Sequence, residues 1–326
     1  MNARNKVLLM CFLLILICTV AIEKPWRGDA HQQTYAATLR MFPKLHEGDG
    51  LGRVRIKAQG KTTTIARILD QGKPRWVVRE MMDHPADIAR VSSLLESMRA
   101  LETRDVESVN PEMQSAYKVS EADGIRVEAW NSDGGLLADV IAGSLRSQDV
   151  TTGQIPVLEF FVRPTDSNVV YRTGEFAIPF QDPAEWCDTH FLSKVDPEQL
   201  NTIQRIDYVT QESWKLVCQK GEDWRMISPT SSSVPEFVSD SWVFTLANLR
   251  AANVVAIADS PEGKDMLGSV TDTLRAGIDG EIFEIHIGKL LSADRRIVRV
   301  KGLPHLYALQ EFDVDQLLQP VDRMLE

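Results

Sequence analysis

Cys187 and His190, in the stretch Cys187-Asp188-Thr189-His190, are spaced to put two metal ligands on one loop. A metal site needs two further donors, and no second Cys/His pair lies near this one in sequence. His286, on a predicted strand, and His305, in a predicted turn, are the candidates to converge on it. The competing explanation is a small buried thiol packed beneath Trp186. Gly60-Lys61-Thr62 resembles the end of a phosphate-binding loop. That loop requires glycine at its first position, where Arg55 stands, and a helix afterwards, where β-branched Thr62–Ile65 favours a strand. The strand prevails.

Other chemistries find less. No Gly-x-Ser-x-Gly occurs, and the six histidines are scattered. Asp139, Glu159, Glu281 and Glu284 fall on predicted strands, where alternation turns several of them outward to serve solubility. Paired acids for glycoside chemistry are defined by distance in space, which spacing in sequence does not decide. No catalytic, cofactor-binding or metal-binding residue is assigned, and the expectation is a non-enzyme without a cofactor. Aromatics are more suggestive: Trp76, Trp130, Trp186, Trp214, Trp224 and Trp242 read mostly as core, and Phe160-Phe161 puts one ring on each face of a strand.

The elements that would hold these residues begin with a leader. Residues 7–22 (VLLMCFLLILICTVAI) carry no charge and follow Arg4 and Lys6. At about 1.5 Å per residue they span about 24 Å, and extension through Lys24 approaches the roughly 30 Å of a bilayer core. The segment 7–24 is therefore expected to be a single transmembrane helix, with residues 1–6 as a cytoplasmic tail. A signal peptide cleaved after Ala21 is the rival, since Thr19-Val20-Ala21 supplies small residues. Both versions export everything beyond Glu23, to the periplasmic side of the cytoplasmic membrane. A net charge of −10 argues against nucleic acid and against lying on an anionic membrane surface. Cys11 and Cys18 lie in the leader, leaving Cys187 and Cys218 as two buried thiols or one optional bridge.

The exported body repeats itself. Thr62–Leu69, a turn at Gly72 and Trp76-Val77-Val78 match Trp214–Gln219, a turn at Gly221 and Trp224–Ile227. A helix opened by proline follows each tryptophan, Pro85 before Ile88, Val91, Leu94, Leu95 and Met98, Pro235 before Val238, Trp242 and Leu246. Strands ending in Gly143 and Gly288 come next in the two halves. The expected fold class is α+β: the transmembrane helix, a juxtamembrane segment 25–50, then modules 51–200 and 201–326. Each module is a mainly antiparallel sheet packed with one or two amphipathic helices.

Several landmarks bring a resemblance. Phe42-Pro43, Arg53-Val54-Arg55-Ile56, the Gly72…Trp76 hairpin, Pro85-Ala86-Asp87 and Ile141-Ala142-Gly143 look like the bacterial family called domain of unknown function 4340. The family has no established activity. The resemblance implies a membrane-tethered protein, often encoded beside ABC-transporter subunits of the gliding-motility type, and hence an accessory role in a membrane complex. The segment Gly174–Lys194 departs from it as an insert. The expected function is a membrane-anchored extracytoplasmic scaffold or binding protein partnered by ABC-transporter-type membrane subunits. The alternative is a periplasmic module that binds a lipid, glycan or small molecule in a cleft between the halves.

Overall fold

A computed structural model describes residues 40–46, 50–70, 72–146, 158–174, 176–192, 203–209, 214–217, 223–278 and 281–326. They divide into two compact units. One comprises the described residues up to Gly60 with Ser92–Pro179, the other Lys61–Val91 with Phe180–Glu326.

Along the chain the strands are β1 (Leu51–Ala58), β2 (Lys61–Asp70), β3 (Lys73–Val78), β4 (His84–Pro85), β5 (Val106–Ser108) and β6 (Ile125–Asn131). Next are β7 (Leu136–Arg146), β8 (Leu158–Pro164), β9 (Val170–Thr173), β10 (Ile203–Val209), β11 (Trp214–Val217) and β12 (Arg225–Ser228). The last are β13 (Ser232–Ser233), β14 (Asn253–Ile257), β15 (Asp272–Ile278), β16 (Glu281–Ser292), β17 (Arg295–Val300) and β18 (His305–Gln310). The α-helices are α1 (Ile88–Arg99), α2 (Glu236–Ala247), α3 (Pro261–Leu267), α4 (Glu311–Leu317) and α5 (Val321–Leu325).

In the first unit six antiparallel strands run in the order β1-β6-β7-β8-β9-β5. Alternation explains β1: Val54, Ile56 and Ala58 are buried, while Arg53, Arg55 and Lys57 take the opposite face. The second unit holds an antiparallel ribbon, β4-β3-β2, and a nine-stranded sheet in the order β13-β12-β11-β10-β15-β16-β17-β18-β14. In that sheet β10-β15-β16-β17-β18-β14 repeats the strand order of the first unit, and β13-β12-β11 repeats the ribbon.

Two details recur with the order. The Trp76 carbonyl accepts the Ala86 N–H at 2.9 Å, and at the same spacing the Trp224 carbonyl accepts the Val234 N–H at 3.0 Å. Each bond closes a ribbon just before a helix. Gly143 on β7 and Gly288 on β16 are the second pair. A Cβ on Gly143 would lie 2.4 Å from the Tyr117 and Lys118 carbonyl oxygens, and one on Gly288 would lie 2.4 Å from the Leu267 carbonyl oxygen. A turn at Tyr117-Lys118 in the first unit, and the end of the helix Pro261–Leu267 in the second, approach the strand so closely that only hydrogen fits at this point.

Local rules set the helices. Asp87 accepts the N–H groups of Ala89 and Arg90 and so caps α1, while Pro85 lies in β4 rather than at the helix start. Ser260 caps α3 through the Gly263 N–H at 2.9 Å, with Pro261 as its first residue. Helix α2 buries Trp242, Val243, Leu246 and Ala247 but leaves Phe237 and Phe244 facing solvent.

The fold class expected from sequence is corrected here. Eighteen strands stand against five α-helices among the described residues, and the longest helices, α1 and α2, have twelve residues. Among the described residues the chain is mostly antiparallel sheet rather than helix-packed modules. No helix among the described residues is long and apolar enough to cross a membrane. The apolar segment 7–24 lies outside the described residues. The misjudged balance has a simple cause. Strands such as β4, β5 and β13 are two or three residues long, too short for alternation to show, whereas twelve residues of helix display their stripe fully.

Candidate functional site

Titratable side chains gather most tightly in the second unit, where His84 of β4, His305 and Tyr307 of β18 and Cys187 are all buried. Segment 186–188 pairs with 85–87, since Asp87 N–H donates to the Trp186 carbonyl at 2.8 Å and Asp188 N–H to the Pro85 carbonyl at 2.9 Å. That pairing holds Cys187 beside the end of β4. His84 Nδ1 donates to the Pro85 carbonyl at 2.9 Å, which leaves Nε2 to accept from the Tyr307 hydroxyl at 3.3 Å. His305 Nε2 donates to the Met82 carbonyl at 3.0 Å, and its Nδ1 is buried without a hydrogen-bond partner. The two imidazole centroids are 4.8 Å apart, and Phe191 meets Tyr307 edge-on at 4.9 Å.

Burial dominates the protonation of these groups. It lowers the His84 pKa to about 4, against a partial offset from the Pro85 carbonyl. His305 is lowered for the same reason. Burial pushes the Cys187 thiol up to about 12, with the Asp182 and Asp188 charges adding to it. The Tyr307 phenol is also raised by burial. At neutral pH the cluster is therefore uncharged, and Cys187 is a thiol rather than a thiolate nucleophile.

Two carboxylates are held inside cages of cations. Glu284 on β16 receives Arg275 Nε at 2.8 Å, His286 Nε2 at 2.6 Å and Lys301 Nζ at 3.5 Å. Burial works to raise its pKa, but the hydrogen bonds from Arg275 and His286 outweigh this and hold it at about 2. In the first unit Arg55 grips Glu128 through two nitrogens at 2.7 and 2.9 Å, and Lys57 approaches to 3.2 Å. Burial opposes ionisation of Glu128 as well, and the Arg55 and Lys57 hydrogen bonds again prevail to lower its pKa. Arg126 is forked onto Asp139 at 2.9 and 2.7 Å, while the Arg53 and Arg55 guanidinium groups lie 4.2 and 4.6 Å from the centre of the Trp130 ring.

The residues singled out in the sequence are thus dispersed. His190 contacts its neighbour Asp188 at 3.4 Å, His286 belongs to the Glu284 cage, and His305 lies on strand β18 rather than in a turn. Among the described residues no three His, Cys, Asp or Glu side chains stand where they could hold a metal. Cys187 is a free thiol close to Trp186, and Cys218 lies outside the described residues. Gly60 ends a tight turn at φ +78°, and Lys61 opens strand β2, as the β-branched run predicts. Asp139 and Glu284 are turned into ion pairs rather than outward. Phe161 is buried with Val119, Ile141 and Val170, and Phe160 is half-buried. Sequence reasoning missed His84 and Tyr307 because nothing local marks them; β4 and β18 meet only in the folded chain.

Each unit bears a depression on its surface. A depression of about 260 Å³ lies between Met41–Lys44 and the start of β7 in the first unit. One of about 370 Å³ lies between α2 and the C-terminal residues of the second. Neither contains the imidazole cluster.

The model of a family described as Domain of unknown function (DUF4340) matches residues 76–266. No curated protein matches the chain, and no solved structure does.

Proposed function

The chain belongs to the DUF4340 family, and from that premise we propose that it is a non-catalytic, extracytoplasmic binding and scaffolding protein, accessory to a transporter-type or envelope assembly in the membrane. One observation carries this reading. The side chains best suited to chemistry are engaged in internal contacts, the His84–Tyr307 pair and the Glu284 cage above all. An acid–base enzyme needs a titratable group poised near neutral pH and open to a concave surface. His84, held at about 4, and Cys187, held at about 12, are buried and line neither depression.

The extracytoplasmic address comes from residues 7–22, an uncharged apolar run behind Arg4 and Lys6. The partner class, ABC-transporter-type membrane subunits, comes from the family resemblance. The test is co-purification of the tagged full-length chain from its own cells in mild detergent, with an untagged strain as background. Enrichment of integral membrane transport subunits is expected. Recovery of no membrane protein above background overturns the proposal.

A further inference from the structure

Helix α2 is apolar on both sides. Its inner face buries Trp242, Val243, Leu246 and Ala247, and the Trp242 indole donates to the Leu317 carbonyl of α4 at 3.1 Å. Its outer face presents Phe237 at 70% exposure and Phe244 at 55%, seven positions apart with Ser241 between them. A helix with apolar residues all round is one built for burial on more than one side. Beside this stripe lies the depression of about 370 Å³, with Arg323 and Glu326 on its far wall. Phe312, on the adjoining helix α4, is 70% exposed as well.

Charge indicates what would cover it. Glu236 and Asp240 flank the two phenylalanines, and α2 contains no basic residue. Helix α4 carries Glu311, Asp313 and Asp315, again with no basic residue. Arg296 pairs with Glu311 and its charge also reaches Asp315, whereas Glu236, Asp240 and Asp313 make no ion pair among the described residues. Asp313 is partly desolvated without a cation beside it, and that burial raises its pKa. Arg323 is the cation among the residues lining the depression, set against Glu326, and Glu236, Asp240 and Asp313 leave the face acidic. Exposed aromatic rings on an acidic face complement an amphipathic helix with an apolar stripe and a lysine- or arginine-rich flank.

We infer, resting on the scaffold reading above, that the outer face of α2 is the docking surface for a basic amphipathic helix of the partner protein. The rings enter the partner's apolar stripe, and Glu236, Asp240 and Asp313 meet its cations. The probe is a fluorescein-labelled amphipathic helix of leucine and lysine, titrated with the purified full-length chain and read by anisotropy. A matched peptide with glutamate for lysine is the control.

Saturable binding of the lysine peptide alone is expected. Phe237→Ser with Phe244→Ser should weaken it about tenfold or more at an unchanged thermal melt. Glu236→Lys with Asp240→Lys should transfer preference to the glutamate peptide. Equal binding of both peptides, or a double-serine variant that binds like the parent, overturns the inference. Self-association of the chain that the serine changes abolish also overturns it, by assigning the face to a second copy. Co-purification separates the two claims: membrane subunits recovered without peptide binding remove the docking face and leave the scaffold standing.

Discussion

The Tyr307 hydroxyl lies 3.3 Å from His84 Nε2 while His84 Nδ1 donates to the Pro85 carbonyl, so one buried imidazole has both nitrogens occupied and no need of a second proton. His305, its neighbour, has a buried Nδ1 with no acceptor for an added proton. Both rings are neutral by construction.

Acid should therefore weaken the second unit before it reaches the carboxylate range. Above the ordinary histidine pKa of about 6.5 the folded and unfolded chains are both neutral at these rings, and nothing is lost. Below it the unfolded chain takes up protons that folded His84 refuses until about pH 4. Stability should fall across that window by about 3 kcal/mol from His84, with His305 adding in the same direction. Denaturant titrations at a series of pH values measure this, and His84→Gln should flatten the slope. An unchanged slope in that variant contradicts the assignment.

Glu284 has the opposite sign. Its folded pKa of about 2 lies below the unfolded value, so its contribution is complete above about pH 4.5 and disappears as pH falls toward 2. Arg275 and Lys301 are largely exposed, so water screens part of the gain. Glu284→Gln should cost about 1–3 kcal/mol at neutral pH and flatten the fall of stability between about pH 4.5 and 2, so that acid unfolding begins at higher pH than in the parent. Circular dichroism against pH reads both.

The two recurring glycines should be intolerant of even one methyl group. Gly143→Ala and Gly288→Ala each drive a Cβ against backbone oxygen at 2.4 Å and should lose about 1–3 kcal/mol or more. Gly134 has φ +85° with nothing within 4 Å of a built Cβ, so Gly134→Ala should lose only the backbone term of about 1–2 kcal/mol. Thermal melts rank the three, and a Gly288→Ala chain as stable as the parent would show that α3 does not approach the strand where described.

Trp242 ties α2 to α4 through one hydrogen bond and a large buried ring. Trp242→Phe should cost about 1–2 kcal/mol for the lost bond, and Trp242→Ala about 3–5 kcal/mol. Equal losses would mean that the indole N–H carries nothing.

How far the sequence could be read depended on the length of each signal. The long paired strands β6–β7 and β15–β16, the ribbon tryptophans Trp76 and Trp224, and Gly143 with Gly288 were all visible as ordered correspondences between the halves. Two-residue strands were not, and His84 was hidden inside one of them. Ser260-Pro261 carried a capping signal for α3 that local rules could have found. His305 looked like a turn residue after Gly302 and Pro304, yet it pairs with Ile257 as the first residue of β18. The imidazole cluster depends on β4 and β18 meeting, a long-range event that no local pattern encodes.

Function by binding rather than by bond-making is tested most directly by removing the reactive groups and asking whether the partners stay. Chains carrying Cys187→Ala, or His286→Asn with Lys61→Ala, should be expressed in place of the native copy, checked for a native melt and purified with whatever membrane proteins accompany them. Undiminished recovery of the same partners, with the growth of the cells unaltered, is the predicted result. A folded variant that keeps its partners but fails to sustain the cell would contradict it, because chemistry at those groups would then be the function.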